Sequence, residues 1–154
     1  MFREMRRKDK QLGAEETVDV LIRGETGYLS SICENGYPST VPLNFVYYND
    51  SIYIHSAKEG QKVDNMKNCD KVSFCVACDV VNLPDKFDTN YKSVILFGRA
   101  EEIFDNEKDE ALLEIIKKYS QDYVEKGEKY IEKAKDATKA FKINIEHITG
   151  KAQI

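Results

Sequence analysis

The residues best suited to bind a ligand lie between positions 52 and 76, where a strand pattern ends in a polar loop. His55 and Ser56 close the strand, Gly60 lies in the loop, and Lys62 opens an amphipathic turn of helix. Ser56 offers a hydroxyl donor, Lys62 offers a mobile ammonium, and backbone N–H groups at a helix start attract anions. This spacing predicts a site for a phosphate group.

His55 is the residue of this stretch whose unperturbed pKa lies near neutrality, so it is the candidate proton donor of the site. On the residues alone, two alternatives stay open: a histidine on a strand is often a hydrogen-bonded structural residue, and a lysine at a helix start is often solvated. The second histidine, His147, is interpreted as a structural residue at the end of a strand.

The four cysteines are Cys33, Cys69, Cys75 and Cys78. The spacing of Cys75 and Cys78 is that of a redox pair or half a zinc site. However, the surrounding pattern predicts a strand, in which positions three apart face opposite sides. There is also no second Cys/His pair at zinc spacing. We therefore predict no metal site and expect buried free thiols that act as small apolar side chains.

The chain has 154 residues, enough for one compact domain over residues 1–154. Its net charge of −4 argues against a nucleic-acid partner, which a basic surface would attract. The basic stretch Arg3–Lys10 is interpreted as a solvated arm, or one that packs on a partner subunit. The chain lacks an apolar run long enough for a membrane span and a secretory signal at its start, so we expect a cytoplasmic protein.

Hydrophobic periodicity indicates a mainly β domain with flanking helices. Strands are predicted over residues 27–33, 39–48, 52–56, 71–80, 93–103 and 140–148. Helices are predicted over 14–23, in a short turn from Lys62, after a capping Asn106, and over 121–135. This order suits an antiparallel barrel with helices at its ends.

Three features interrupt these strands. Pro42 cannot donate a ladder hydrogen bond, so it implies a bulge, an edge strand, or backbone turned toward a ligand. Gly98 implies a bulge or a close backbone approach. Residues 81–91 are rich in loop formers, and a loop of this length often forms a lid or a wall of a binding site.

Several stretches together resemble the split-barrel FMN-binding proteins of the pyridoxamine 5′-phosphate oxidase superfamily, and in particular the nitroimidazole-resistance (Nim) branch. These stretches are RRKDKQL, GYLSSICENGYPSTVPLNFVYYNDSIYIHSAKEGQKVDNMKN, KVSFCV, NYKSVILFGRAE and IEHITGK, and they cover nearly the whole chain. The resemblance implies an antiparallel split β-barrel of the FMN-binding type and a homodimer with the flavin in a cleft between subunits.

The resemblance also implies roles for individual residues. The segment Val41–Phe45 is expected to run past the flavin ring, with backbone groups bonding the ring edge. His55 and Ser56 are expected to contact the ring or the phosphate, Lys62 to bind the phosphate, and Ser93 to reach the flavin from the second subunit. The cofactor-binding candidates are Pro42, Leu43, Asn44, Phe45, His55, Ser56, Lys62 and Ser93.

The function implied is that of an FMN-dependent oxidoreductase, with a nitroaromatic such as a 5-nitroimidazole as a substrate; no catalytic residue is assigned. Two features depart from the pattern of pyridoxamine phosphate oxidases: Gln61 stands where they have a second basic residue, and the chain ends in GKAQI without their substrate-binding Arg and His. These departures argue against pyridoxamine phosphate oxidation itself. The alternatives are a non-enzymatic flavin-binding or sensory module, and a split barrel that holds deazaflavin or haem.

Overall fold

The computed structural model describes residues 1–154 and contains seven strands. They are β1 (Gly27–Ile32), β2 (Pro38–Leu43), β3 (Val46–Tyr48), β4 (Ser51–Ala57), β5 (Lys71–Leu83), β6 (Asp88–Ile103) and β7 (Thr138–Gln153). All pairings are antiparallel, in the order β2-β1-β5-β6-β7-β4-β3. The predicted mainly β split barrel with flanking helices is confirmed.

Four α-helices flank the sheet. They are α1 (Ala14–Arg23), α2 (Gln61–Asn68), α3 (Asp105–Tyr119) and α4 (Val124–Ala134). The helix α1 begins and ends where its periodicity predicts. The predicted cap of α3 is wrong, because Asn106 lies inside its first turn and the residue before the helix is Phe104, which makes no side-chain cap bond. No helix combines the length and the hydropathy that crossing a membrane would need.

The main core lies inside the sheet and beneath α1 and α2. Its largest fully buried members are Leu21, Leu29, Phe45, Ile52, Ile54, Phe74, Leu96 and Ile143. A smaller cluster joins the other side of β3, β4 and β7 to α3, and it is made of Val46, Tyr53, Ile103, Ala111, Ile115 and Ala140. The strand β4 therefore separates two apolar layers, because successive side chains on a strand point to opposite faces.

The predicted strand over 39–48 is broken in two, and the break falls at Asn44 and Phe45 rather than at Pro42. Pro42 lies within β2, opposite Tyr28 of β1. The strand β2 is at the end of the strand order, so the ladder tolerates a residue without an N–H there. Of the three possibilities for Pro42, the edge strand is the one observed.

The predicted loop over 81–91 is wrong. The strands β5 and β6 continue as a hairpin through this segment, with Val81 paired to Asn90 and a short turn at Pro84–Lys86. A register shift between Cys78 and Val81 makes this continuation possible, and Asp79 there adopts a positive φ of 54°. Such a bulge changes the direction of the strand without ending its pairing with the neighbouring strand.

Gly98 confirms the expected close backbone approach. A Cβ atom there would lie 2.2 Å from the carbonyl oxygen of Asn144. The pairing of β6 with β7 shifts register between Phe97 and Gly98 at the same place. The bulge and the glycine are therefore one feature, in which two strands come closer than a side chain allows.

All four cysteines are free, as expected, but they are half-buried, so the expectation that the thiols are buried is wrong. The core-facing positions of β5 belong to Val72, Phe74 and Val76. Cys75 lies on the other face, while Cys78 lies at the edge of the core. The opposite orientation of these two cysteines is confirmed.

Candidate functional site

The predicted phosphate site joins the end of β4, a short loop and the first turn of α2. Ser56 lies on the same face of β4 as Ile52 and Ile54, is buried, and donates its hydroxyl to the carbonyl of Ala57 at 2.8 Å. His55 lies on the opposite face and borders a small cavity of about 60 Å³ beneath α3 and α4. The structure therefore directs the two neighbouring residues into different surroundings.

Lys62 lies in the first turn of α2 and is half-buried. None of the ion pairs of the structure includes it. Partial burial of the His55 ring, followed by the positive charge of Lys62, lowers the pKa of His55 below its usual value. The two side chains are therefore electrostatic neighbours, and the ammonium of Lys62 is available to an anion.

The start of α2 has free backbone donors. Gly60 precedes the helix with a φ of 149°, a conformation that suits glycine, and no side chain caps the first turn. The first backbone bond of the helix runs from the N–H of Asp64 to the carbonyl of Gly60. The N–H groups before Asp64 are those that a helix leaves without an internal partner, and they attract negative charge.

The segment between β2 and β3 is held by a tyrosine that the sequence did not single out for this role. The hydroxyl oxygen of Tyr119 accepts the N–H of Phe45 at 3.0 Å. Its proton is directed at the carbonyl oxygens of Glu25, at 2.6 Å, and of Phe45, at 3.1 Å. The backbone N–H and C=O of Phe45 are thus both hydrogen-bonded within the protein, and its ring is buried in the core.

Asn44 and its neighbours differ from Phe45. Asn44 is exposed, and its backbone N–H and C=O form no hydrogen bond with the rest of the protein. Leu43 packs partly against the core, and Pro42 is exposed on the edge strand. Within the segment expected to pass a flavin ring, Asn44 is therefore the residue with an open donor and acceptor.

A second lysine, Lys118, lies close to this segment. Its ammonium is 3.7 Å from the centre of the Phe45 ring, and it donates to the carbonyl of Leu21 at 3.5 Å. Burial lowers the pKa of Lys118 to about 8, and the charge of Glu25 opposes that shift only partly. In the sequence Lys118 reads as an ordinary polar residue beside the apolar stripe of α3, so no signal distinguished it.

Ser93 lies on β6, opposite Ala77 of β5 and Lys151 of β7, and is half-buried. It faces away from the core, because its neighbour Val94 faces into it. We use the term outer face for this side of β2, β1, β5 and β6. Pro42 also lies on the outer face, three strands from Ser93.

The outer face is unusually apolar for an exposed sheet surface. Its exposed apolar side chains are Tyr28, Ile32, Ile95 and Phe97, which are 39 to 47% exposed. Tyr28, Cys75 and Ile95 are directly opposite one another on β1, β5 and β6, and they make a continuous row. Exposed apolar patches of this kind mark interaction sites.

The residues present fit a phosphorylated planar cofactor in donor chemistry. Lys62 is an unpaired cation beside free helix N–H groups, and Asn44 has an open backbone donor and acceptor. His55 contributes a polar ring next to Lys62. Ser56 fits a phosphate contact least well of the candidates, because its hydroxyl is buried and already donates to the backbone carbonyl of Ala57.

Solved structures share this fold over most of their length. A candidate 5-nitroimidazole antibiotic resistance protein from Bacteroides thetaiotaomicron is 22% identical, with a TM-score of 0.74, over 92% of this chain and 86% of that one. An FAD-binding protein from Mesorhizobium loti is 25% identical, with a TM-score of 0.65, over 94% and 98%. An FAD and haem binding protein from Mycobacterium smegmatis is 20% identical, with a TM-score of 0.80, over 94% and 73%.

No curated protein sequence matches the chain. The sequence profile of one family does match it, over nearly its whole length. That profile is described as pyridoxamine 5′-phosphate oxidase, and it covers residues 13–152. Together with the split-barrel fold, this match shows that the chain belongs to the pyridoxamine 5′-phosphate oxidase family.

Proposed function

We propose that the protein is an FMN-dependent oxidoreductase that works as a homodimer. The observation that carries this proposal is the unpaired ammonium of Lys62 beside the uncapped first turn of α2. A charged donor in the first turn of a helix, together with the free N–H groups of that turn, attracts an anion, and the terminal phosphate of FMN is such an anion. The family to which the chain belongs supports this choice of ligand.

The flavin ring is assigned to the segment Pro42–Asn44. Asn44 provides a backbone donor and acceptor, which are the groups needed to bond the polar edge of a flavin. Tyr119 holds the adjacent Phe45 through two contacts with its backbone and bonds the carbonyl of Glu25 through a third, so the segment is held in place before a ligand binds. Preorganisation of this kind reduces the entropy that binding costs.

The second subunit is proposed to complete the site. Ser93 is three strands from Pro42 on the same chain, so a partner copy that packs on the outer face would bring its own Ser93 toward the ring. The row of Tyr28, Cys75 and Ile95 supplies the apolar surface for such packing. A stable interface needs a desolvated apolar centre of this kind.

When bound, FMN supplies the hydride or electron transfer, and the protein orients the ring and limits its contact with water. His55 keeps its neutral form at pH 7, because its pKa is lowered. The neutral imidazole can donate or accept a proton beside the phosphate without a second positive charge next to Lys62.

For the substrate we propose a nitroaromatic such as a 5-nitroimidazole. The similarity to the Bacteroides protein supports this substrate class. No individual residue of the site identifies a nitroaromatic. Anaerobic assays with a nicotinamide donor test it through loss of the nitro-group absorbance. Flavin that stays oxidised in the presence of NADH and NADPH, with no loss of the nitroaromatic, would favour a flavin-binding module without turnover.

The phosphate site is tested by replacing Lys62 with Ala and titrating FMN by its fluorescence. A hydrogen bond to a charged group is worth about 1.5–3 kcal/mol, so we expect FMN affinity to fall by roughly tenfold to a hundredfold. Riboflavin, which lacks the phosphate, should bind both proteins equally. The matched control is Lys67→Ala, which changes an exposed lysine at the far end of the same helix.

Two results would remove Lys62 from the proposed site. One is an unchanged FMN affinity in Lys62→Ala. The other is an equal loss for riboflavin and FMN, which would indicate damage to the fold instead of a lost phosphate contact. Because similar folds bind FAD or haem, the same titrations should include FAD and haemin, and preference for either would replace FMN in the proposal.

A further inference from the structure

A cavity of about 370 Å³ opens where the segment before α1 and the start of that helix meet the last part of β7. Its larger apolar side chains are Leu12, Val18, Ile145 and Ile148. All of these except Val18 also pack against the main core. Ile148 pairs with Leu96, which faces the core, so the cavity lies on the core side of the sheet and not on the outer face.

The walls of this cavity are held by short contacts within the chain. The N–H of Leu12 donates to the carbonyl of Gly150 of β7 at 2.9 Å. Thr17 is buried and donates its hydroxyl to the carbonyl of Gly13 at 2.7 Å. Gly150 leaves no room for a Cβ beside the Thr17 hydroxyl, so α1 and β7 touch directly there. The cavity therefore exists before a ligand binds, which reduces the entropy that binding costs.

A carboxylate lies at the rim of the cavity. Asp50, in the turn between β3 and β4, is exposed and belongs to the lining. The hydroxyl of Tyr47 donates to its Oδ1 atom at 3.1 Å, which is the only hydrogen bond of this side chain. Asp50 takes part in none of the ion pairs of the structure. Its Oδ2 atom is therefore open to a ligand that carries a donor.

The charges around the cavity favour a cation over an anion. No Lys or Arg lines the cavity. The positive end of the α1 dipole is offset by Glu15 and Glu16 in the first turn of that helix. Burial, followed by the bond to Asp50 and its charge, raises the pKa of Tyr47, so its hydroxyl stays protonated and remains a donor to the carboxylate. The cavity thus combines an apolar interior with one negative charge at its mouth.

We propose that this cavity binds a primary amine with a short aliphatic body. The ammonium group pairs with Oδ2 of Asp50 at the mouth, and the aliphatic body packs on the apolar lining. The body is small, because the cavity is at the lower end of the usual range for ligand pockets, roughly 300–1,000 Å³. No residue assigned to the flavin lines the cavity, so this inference does not depend on the proposed function.

Three probes with the same hexyl body separate the charge from the apolar contact: hexylammonium, 1-hexanol and hexanoate. Each is titrated into the purified protein while its amide signals are followed by NMR. We expect saturable shifts at Leu12, Val18 and Ile148. Hexylammonium should bind about twofold to fivefold more tightly than hexanol, as an exposed ion pair allows, and hexanoate should bind most weakly. Added salt should reduce this preference, because it screens the pair.

Two variants test the charge and the space separately. Asp50→Asn removes the charge and keeps an oxygen for Tyr47, and asparagine tolerates the positive φ of 56° at this position. Hexylammonium and hexanol should then bind equally. Asp122→Asn is the matched control for charge, because Asp122 is exposed between α3 and α4 and does not line the cavity.

Val18→Phe fills the cavity from α1 and should abolish the shifts caused by hexylammonium and hexanol. Ile22→Phe is its control, because Ile22 is exposed on the same helix and lies outside the cavity. This control should bind the probes as the wild type does.

The proposal is overturned if no probe shifts the residues of the cavity, or if hexanol or hexanoate binds as tightly as hexylammonium. It is also overturned if Asp50→Asn keeps the preference for the ammonium, or if a folded Val18→Phe still binds it. If circular dichroism shows that Val18→Phe does not fold, the comparison of Asp50→Asn with Asp122→Asn decides alone. The FMN titrations at Lys62 are read separately, so either proposal can fail alone.

Discussion

At the scale of single residues, two lysines show how the surroundings decide what a charge can do. Lys62 has no ionic partner and lies beside helix N–H groups, so its charge is available to a ligand. Lys118 is half-buried over the ring of Phe45, and burial lowers its pKa to about 8. The charge of Glu25 raises the pKa of Lys118, but the loss of water around the buried ammonium is the larger effect.

Replacing Lys118 with Met tests this balance through pH. The unfolded chain keeps a lysine charged up to about pH 10.4, whereas the folded protein releases the proton near pH 8. Between these values the unfolded state binds more protons, so stability of the wild type rises with pH. Relative to Lys118→Met, its free energy of unfolding should increase by on the order of 2 kcal/mol from pH 7 to pH 10.

Denaturant unfolding of both proteins at pH 7, 8.5 and 10 measures that difference. A difference that stays constant across the three pH values would mean that Lys118 has an ordinary pKa. Lys117→Met is the matched control, because Lys117 is the exposed neighbour on the same helix and should show no such trend.

The sequence predicted some of these residues and missed others for identifiable reasons. Lys62 could be proposed from the sequence because a basic residue after a glycine loop is a local pattern, and its role stays a prediction. The role of Tyr119 was not predicted, since nothing local shows that its hydroxyl reaches Glu25 and Phe45, which are far away in the chain. The unpaired Nε2 of His147 likewise depends on contacts that sequence periodicity does not describe.

At the scale of elements, β5 and β6 extend further along the chain than the sequence predicted. The strands β6 and β7 also come closer together at Gly98 than a side chain would allow. The core strand β6 runs through 16 residues and pairs with β5 and β7 on its two sides. The polar composition of residues 81–91 predicted a loop, but the ladder continues because the bulge at Asp79 absorbs the change in register. The turn between β3 and β4 is made by Asn49 and Asp50, which adopt positive φ values of 48° and 56°.

Gly98→Ala tests the closest contact between these strands. A Cβ there would lie 2.2 Å from the carbonyl oxygen of Asn144, which is backbone and cannot rotate away. We expect a loss of about 2 kcal/mol or more in the free energy of unfolding, as is usual for overpacking against a rigid neighbour. Gly13→Ala is the control, because a Cβ at Gly13 would meet nothing within 4 Å.

Thermal and denaturant unfolding monitored by circular dichroism compare the two variants. Equal stability of Gly98→Ala and the wild type would contradict the close approach of β6 and β7. The sequence predicted this feature from a single glycine inside a strand, but it did not identify Asn144 as the residue approached.

At the scale of the whole molecule, one side of the sheet is left apolar and open. Tyr28, Cys75 and Ile95 form a row across three strands of the outer face, and Pro42 continues it at the edge. Ser93 lies three strands from Pro42 in one chain, so the proposed cofactor site takes its Ser93 from the second subunit. The family resemblance predicted the fold, which is confirmed. It also predicted a site divided between two subunits, which stays a prediction. Periodicity alone predicted the strands but not which face would stay uncovered.

Ile95→Glu tests whether this face joins two subunits. A carboxylate placed in the centre of an apolar interface would lose water without a partner, so we expect dimer affinity to fall by about a hundredfold or more. Ile22→Glu is the control, because Ile22 is 57% exposed on α1, away from the outer face. Analytical ultracentrifugation over a range of concentrations gives the dissociation constants.

If Ile95→Glu dimerises as tightly as the wild type, the outer face is not the interface. If the dimer dissociates but FMN affinity stays the same, the flavin site is complete in one chain, and the role proposed for Ser93 is wrong. Joint loss of dimer and flavin binding is the result that the proposed function predicts.

The central claim is that the protein binds FMN, and the visible absorption spectrum of the purified protein tests it most directly. We predict the two bands of a bound oxidised flavin, with FMN as the flavin released on denaturation and identified by mass spectrometry. A colourless protein that takes up no FMN on titration would contradict the account, and so would a spectrum dominated by a haem Soret band.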